Sequence, residues 1–249
     1  MLRFLIYAIM AAAWVYTLVW DVMFLPVLRG GSWFSKLVFL TQIDFLLQVV
    51  YFCLSAVRAL MDDCCGRPAR KTRDGRVPAY YTRTKLHSVC DFMYATSAFP
   101  VAMATCLLFW SLWAIDRELV FPKALDAFIP MWHNHMLHSA PVAFLLVDTL
   151  LTCHHMPKRT TGSLVFLACV MFYFAILIIC RLVEGQWLYP VFDVLPLAGQ
   201  IGFMFVAGLV SLFLYLLGDF INQILWGTAA HVVAKPEGRY YDQAKRRLD

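Results

Sequence analysis

Apolar positions in this chain neither alternate with polar ones nor recur every few residues; they run together. Unbroken apolar stretches lie at roughly 4–25, 37–60, 91–115, 130–153, 163–182 and 195–226, with short polar punctuation between them. A helix needs about 20 mostly apolar residues to cross ~30 Å of hydrocarbon, and each stretch is near that length. The pattern predicts an all-α polytopic membrane protein, a bundle of about six transmembrane helices forming a single domain over 1–249. A barrel would require short segments of period two, which are absent. The first stretch, "MLRFLIYAIMAAAWVYTLVW", resembles a signal peptide in having Arg3 ahead of an apolar run. That run is longer than the usual 7–15 or so residues, so it is expected to stay as the first helix. Gly66-Arg67-Pro68 ends the second stretch and opens a hydrophilic loop over 61–88; a polar tail fills 227–249.

Composition sharpens this picture. The chain is 61% hydrophobic and 15% charged, too little charge to cover a soluble domain of this size. The net charge of +5 points to no nucleic acid, because the basic residues gather where cytosolic loops would put them. The 61–88 loop holds Arg67, Arg70, Lys71, Arg73, Arg76, Arg83 and Lys85, the 156–162 loop Lys158 and Arg159, and the tail Lys235, Arg239, Lys245, Arg246 and Arg247. The alternate loops are poorer in Lys and Arg, which predicts cytosolic termini. The expected setting is the endoplasmic reticulum or plasma membrane, with the bilayer as the partner. The eight cysteines include no CxxC pair and lie mostly inside spans, so neither a zinc ribbon nor a disulfide framework is expected. Cys64 and Cys65, just past the second span, are either palmitoylation sites or two free thiols. No inverted repeat, the mark of many transporters, is visible.

Two spans carry chemistry. In "KLVFLTQIDFLLQVVYFCLSAVRAL", Thr41, Asp44, Gln48, Tyr51 and Ser55 follow a 3-4-3-4 spacing and draw a polar stripe down one face. Lipid would penalise that stripe, so it faces the bundle interior, either for interhelical hydrogen bonding or for function. Asp44 must be paired or protonated there. In "MWHNHMLHSAP", Asn134, His135 and His138 share a helical face, while His133 points elsewhere and is expected at the interface. His138 falls about 12 Å below Pro130, and Thr41 and Asp44 about 6 and 10 Å below Leu37. Both helices run inward from the same side, so a hydroxyl, an imidazole and a carboxylate lie at one level. A histidine can take the proton of a threonine hydroxyl, with a third group such as Asp44 orienting the ring. Packing is the plainer reading of the same residues. Asn134 either donates to an oxyanion or packs; His135 either shapes a pocket mouth or bonds at the interface. Asp219 and Asn222 are expected to bond across the bundle, His154 and His155 to cap a helix end, and Asp116, Arg117 and Glu118 to form a surface cluster. Asp148, about 15 Å past His138, is too far to orient it.

The segments "FLTQIDFLLQ" (39–48), "FPVAMATCLLFW" with "DRELVFPKALDAFIPMW" (99–132), "NHMLHSAPVAFLLVDTLLTCHHMPKR" (134–159), "GQWLYPVF" (185–192) and "FLYLLGDFINQILW" (213–226) together resemble the androgen-induced gene and androgen-dependent TFPI-regulating protein family of multi-pass membrane threonine hydrolases. The resemblance covers the second to sixth spans in order. It implies an intramembrane carboxylic ester hydrolase acting on fatty acid esters of hydroxy fatty acids, with an amphiphilic lipid ester as substrate and no cofactor. It assigns the nucleophile to Thr41, within the "FLTQID" motif, and the base to His138, the second histidine of Asn-His-x-x-His. Ser139 stands where relatives are expected to carry threonine.

Two other classes compete. Histidines suit zinc and iron, and a site from His135, His138 and Asp44 would make a metal-dependent lipid hydrolase or oxidase. The "HNHMLH" and "CHH" clusters are about 25 Å apart along one helix and cannot share a metal. A non-catalytic lipid-binding or transport protein is the third class.

Overall fold

Two polar-faced helices form the centre of the fold. The computed structural model describes residues 1–27, 31–65, 84–226, 232–234 and 240–242. Helix α1, Leu2–Phe24, buries Tyr7, Met10, Ala11, Trp14, Thr17 and Asp21, a face of three- and four-residue steps. It turns that face to α2, Leu40–Cys65, whose stripe residues Asp44, Gln48, Tyr51 and Ser55 are all buried. A 3-10 segment, Trp33–Val38, leads into α2. Helix α3, Lys85–Met93, passes through a π-helical turn, Tyr94–Ala98, into α4, Phe99–Ile115. Pro100 brings no N–H and interrupts the ladder at this point. Within the wide turn the Ala98 carbonyl accepts a hydrogen bond from Gln48 Nε2 at 3.0 Å. Then come α5, Met131–His138, α6, Ala140–Leu151, α7, Arg159–Glu184, the short α8, Val191–Val194, and α9, Leu197–Trp226. Gly185 ends α7 with φ 71°, a left-handed cap that glycine adopts without steric cost. In the tail, Val232–Ala234 pairs antiparallel with Tyr240–Asp242, Val232 opposite Asp242.

Among the described residues five helices are long and apolar enough to cross a membrane: Leu2–Phe24, Leu40–Cys64, Lys85–Ile115, Arg159–Glu184 and Leu197–Trp226. The chain is therefore an all-helical, integral, multi-pass membrane protein, the tail hairpin aside. The apolar stretch expected as one helix over 130–153 is instead two short ones meeting at Ser139 (φ −128°, ψ −44°). Pro141 is the cause, since its ring opposes the carbonyl four residues back and it offers no N–H. The helix expected from 91 starts at Lys85, inside the stretch read as loop. The rest of that loop, 66–83, and the basic residues of the tail lie outside the described residues.

Lipid-facing chemistry is written on the surface. Leu164, Phe172, Leu182, Phe205, Phe213 and Ile224 on α7 and α9 are all exposed, whereas Asp21, Asp44, Arg58, Asp91, Asp148 and His154 are buried. Polar groups turn inward because hydrocarbon cannot solvate them. One such cluster joins α1, α2, α3 and α6. Asp148 accepts from Tyr7 Oη, from Tyr51 Oη at 2.5 Å and from His154 Nε2 at 3.2 Å. The other nitrogen of His154 lies 3.2 Å from Asp91, which also takes Arg58 at 2.9 Å. His154 is therefore an inner partner of two carboxylates, not the end cap read from its position in the chain. Its ring stacks on Tyr94 at 3.7 Å. Asn222 does bond across the bundle, to the main chain of His154, and Asp219 takes Arg159 at 2.8 Å.

Helices α4 and α9 meet closely at Gly218, where an added Cβ would lie 2.6 Å from the Phe99 ring. Gly218→Ala should lower the melting temperature in detergent. Overpacking costs about 1–3 kcal/mol, and the helix-propensity gain of about 1 kcal/mol offsets only part of it. Gly202→Ala on the same helix meets nothing within 4 Å and should not lower it.

Candidate active site

Thr41 lies in the first turn of α2 and is held there by groups from two other elements. The Leu40 N–H is shared by Tyr173 Oη at 2.9 Å and Tyr189 Oη at 3.0 Å, while the N–H groups of Gln42 and Ile43 return to the Phe39 carbonyl. A β-branched side chain has few χ1 choices, so fixing this turn also fixes the hydroxyl. The 3-10 segment before it is tied to α1: Trp33 Nε1 and Lys36 Nζ both donate to Asp21, at 2.6 and 2.9 Å.

His138 is the last residue of α5. Its ring lies face to face with Phe109, centroids 3.5 Å apart, and the indole N–H of Trp110 donates to its carbonyl at 2.7 Å. The Nδ1 atom is 3.0 Å from the carbonyl oxygen of Asn134, and Nε2 is 3.2 Å from Thr41 Oγ1. A main-chain carbonyl only accepts, so Nδ1 must carry the proton. In the neutral ring Nε2 is then bare and accepts from the threonine O–H. The hydroxyl thus faces a base, with the tautomer set by the helix that carries it.

The carboxylate proposed as orienter is elsewhere. Asp44 is buried and accepts from Gln48 Nε2 at 2.8 Å; the Asn134 main chain occupies the orienting position by His138. His133, expected at the interface, is turned into the protein: it is 0% exposed, packs against Trp20, and has Nε2 3.3 Å from Asp21. The residues beside position 133 give no sign of this, because Asp21 lies on a different helix. His135 is exposed, stacks on Trp110, and has Nδ1 3.1 Å from Ser139 Oγ. Asp116 accepts the Glu118 N–H, and Arg117 pairs with Asp126 at 2.6 Å. Cys64 is a free, exposed thiol; the side chain of Cys65 lies outside the described residues.

His135, His138 and Asp44 do not converge, and no group of three or more His, Cys, Asp or Glu among the described residues is placed to hold a metal ion.

Two cavities meet at Thr41. The larger, 590 Å³, lies among α2, α4, α7 and α9 and is walled by apolar side chains such as Leu47, Leu112, Phe166 and Phe203. Phe172 of α7, one of its lining residues, is 68% exposed. The smaller, 330 Å³, lies beneath the 120–129 and 188–190 loops and is lined by Lys36, Gln42, Asn134 and His138. Thr41, Phe109, Val120 and Tyr189 belong to both walls.

Comparison with known proteins agrees with the sequence resemblance. The FAR-17a/AIG1-like protein family model matches residues 3–223. The androgen-dependent TFPI-regulating protein of Mus musculus is 34% identical over 200 residues, 80% of this chain and 79% of its own. That of Rattus norvegicus is 36% identical over 190 residues, 76% of each chain. The androgen-induced gene 1 protein of Homo sapiens is 33% identical over 201 residues, 80% of this chain and 79% of its own. No solved structure matches. With the family model spanning nearly the whole helical core, including the turn of Thr41 and the half-helix of His138, this chain belongs to the FAR-17a/AIG1-like family.

Proposed function

We propose that this protein is an intramembrane lipid ester hydrolase with Thr41 as nucleophile and His138 as general base. The observation that carries the reading is the 3.2 Å contact between Thr41 Oγ1 and an imidazole nitrogen left bare by its neighbour's hydrogen bond. Thr41 Oγ1 attacks the ester carbonyl carbon as His138 Nε2 takes its proton. The tetrahedral intermediate collapses, the bond to the alcohol oxygen breaks, and the Nε2 proton passes to the departing alkoxide. Water then attacks the acyl-threonine, with His138 again as base, and the acid leaves.

The sequence resemblance suggests fatty acid esters of hydroxy fatty acids, and the cavities suit such a substrate. Its two chains diverge from one internal ester, and Thr41 stands where two cavities share a wall. A protein that only bound or carried lipid would use the same cavities with no need of the Thr41–His138 contact.

A fluorophosphonate probe separates the two. Incubated with the full-length protein in detergent micelles, it should form an adduct that peptide mass spectrometry places on Thr41. The label should vanish in Thr41→Ala and persist in Ser97→Ala, another hydroxyl on the cavity wall. Undiminished labelling of Thr41→Ala would remove the nucleophile.

A further inference from the structure

We infer that Asn134 and Gln42, which line one cavity, supply the hydrogen-bond donors that hold the ester carbonyl oxygen as it gains charge. This rests on the proposal that Thr41 and His138 cleave an ester. Asn134 is 2% exposed, yet neither Oδ1 nor Nδ2 has a hydrogen-bond partner among the described residues. Gln42 is 9% exposed, and its Oε1 is likewise buried without one. Buried amides without partners are costly, and folded proteins rarely keep them without a use. Both side chains line the 330 Å³ cavity that also receives Thr41 and His138.

Their positions relative to the reacting pair are informative. Gln42 directly follows Thr41 in the first turn of α2. Asn134 is one helical turn before His138 on α5, so both project from one face of that helix. Its main-chain carbonyl already holds the imidazole through Nδ1 at 3.0 Å, which leaves its side-chain amide free for another task. The main-chain N–H groups of Leu40, Gln42 and Ile43, the usual anion binders at a helix start, are already engaged. Besides the N–H of Thr41 itself, the side-chain amides of Asn134 and Gln42 are donors on the wall of the cavity that holds the nucleophile. An amide can turn its NH₂ toward whatever acceptor it meets, here a carbonyl oxygen becoming an oxyanion. Because the donors are in place before the reaction, they stabilise the charged intermediate more than the neutral ester.

The test uses the full-length protein in detergent micelles with a palmitoyl ester of hydroxystearic acid. Asn134→Ala and Asn134→Asp should each lower kcat by about 100-fold or more, with KM little changed, and Gln42→Ala should lower kcat in the same sense. Asn134→Ala should melt at or above the parent temperature, since it removes two unbonded polar atoms from the interior. A packing role predicts the reverse, a lowered melting temperature that accounts for the lost activity, and that result overturns the inference. Parental kcat in both Asn134 variants, with Thr41→Ala inactive, also overturns it and leaves the hydrolase reading standing. Full activity in Thr41→Ala sinks both.

Discussion

Thr41→Ala and His138→Ala should each slow ester cleavage by about 10⁴-fold or more, and the double variant should be no slower than either. A nucleophile and its base act as a unit, so removing the second member of a broken pair costs little more. Mass-spectrometric counting of released hydroxy acid measures all three rates. Conservative variants separate chemistry from packing. Thr41→Ser keeps the hydroxyl but loses the branch that limits χ1, so it should retain measurable turnover at a reduced rate. His138→Gln fills part of the ring's space against Phe109 but brings no base, and it should be as slow as His138→Ala. Additive losses would mean that the two side chains act separately, and the mechanism would be wrong.

The largest expected loss of stability is elsewhere. Asp148→Ala should cost about 3–5 kcal/mol, read as a large fall in the unfolding temperature in detergent. Asp148 is 1% exposed and accepts from Tyr7, Tyr51 and His154, so its removal takes an acceptor from donors on three segments; among the described residues only the Tyr7 hydroxyl keeps another partner, Thr152 Oγ1 at 2.6 Å. The Tyr51 hydroxyl and one nitrogen of His154 would be left buried beside apolar groups, the costly half of breaking a buried network. Asp126→Asn is the control. Its pair with Arg117 is at the surface, with the Asp126 side chain 48% exposed, and such pairs contribute about 0–1 kcal/mol. Similar small shifts in both variants would show that the Asp148 cluster does not hold the helices together.

The parts of the fold legible in the sequence are those where a single helix carries the whole signal. The stripe from Asp44 to Ser55 needed only helical period and the hostility of lipid to polar groups, and it does face inward. The common level of Thr41 and His138 needed only rise per residue on two co-directional helices. What a single helix does not encode is who stands opposite. The partner of His133 is on α1, those of His154 are on α3 and α6, and the group holding the His138 ring is a main-chain carbonyl that no residue type announces. Asp44 was a reasonable orienter by depth, but Gln48 one turn along its own helix reached it first. The interruption at Ser139 follows from Pro141, and apolar continuity across 130–153 does not reveal it, because hydropathy says nothing about backbone geometry.

The exposure of Phe172, on the wall of the larger cavity, bears on how turnover would be described. If the hydrolase reading holds, a chamber open at Phe172 would draw on molecules dissolved in the leaflet. The quantity setting occupancy is then mole fraction among lipids, and bulk molarity is a poor guide. Diluting the ester with inert phospholipid at constant total amount would slow such a catalyst, and both products would be released into the same two-dimensional solvent that delivered the substrate.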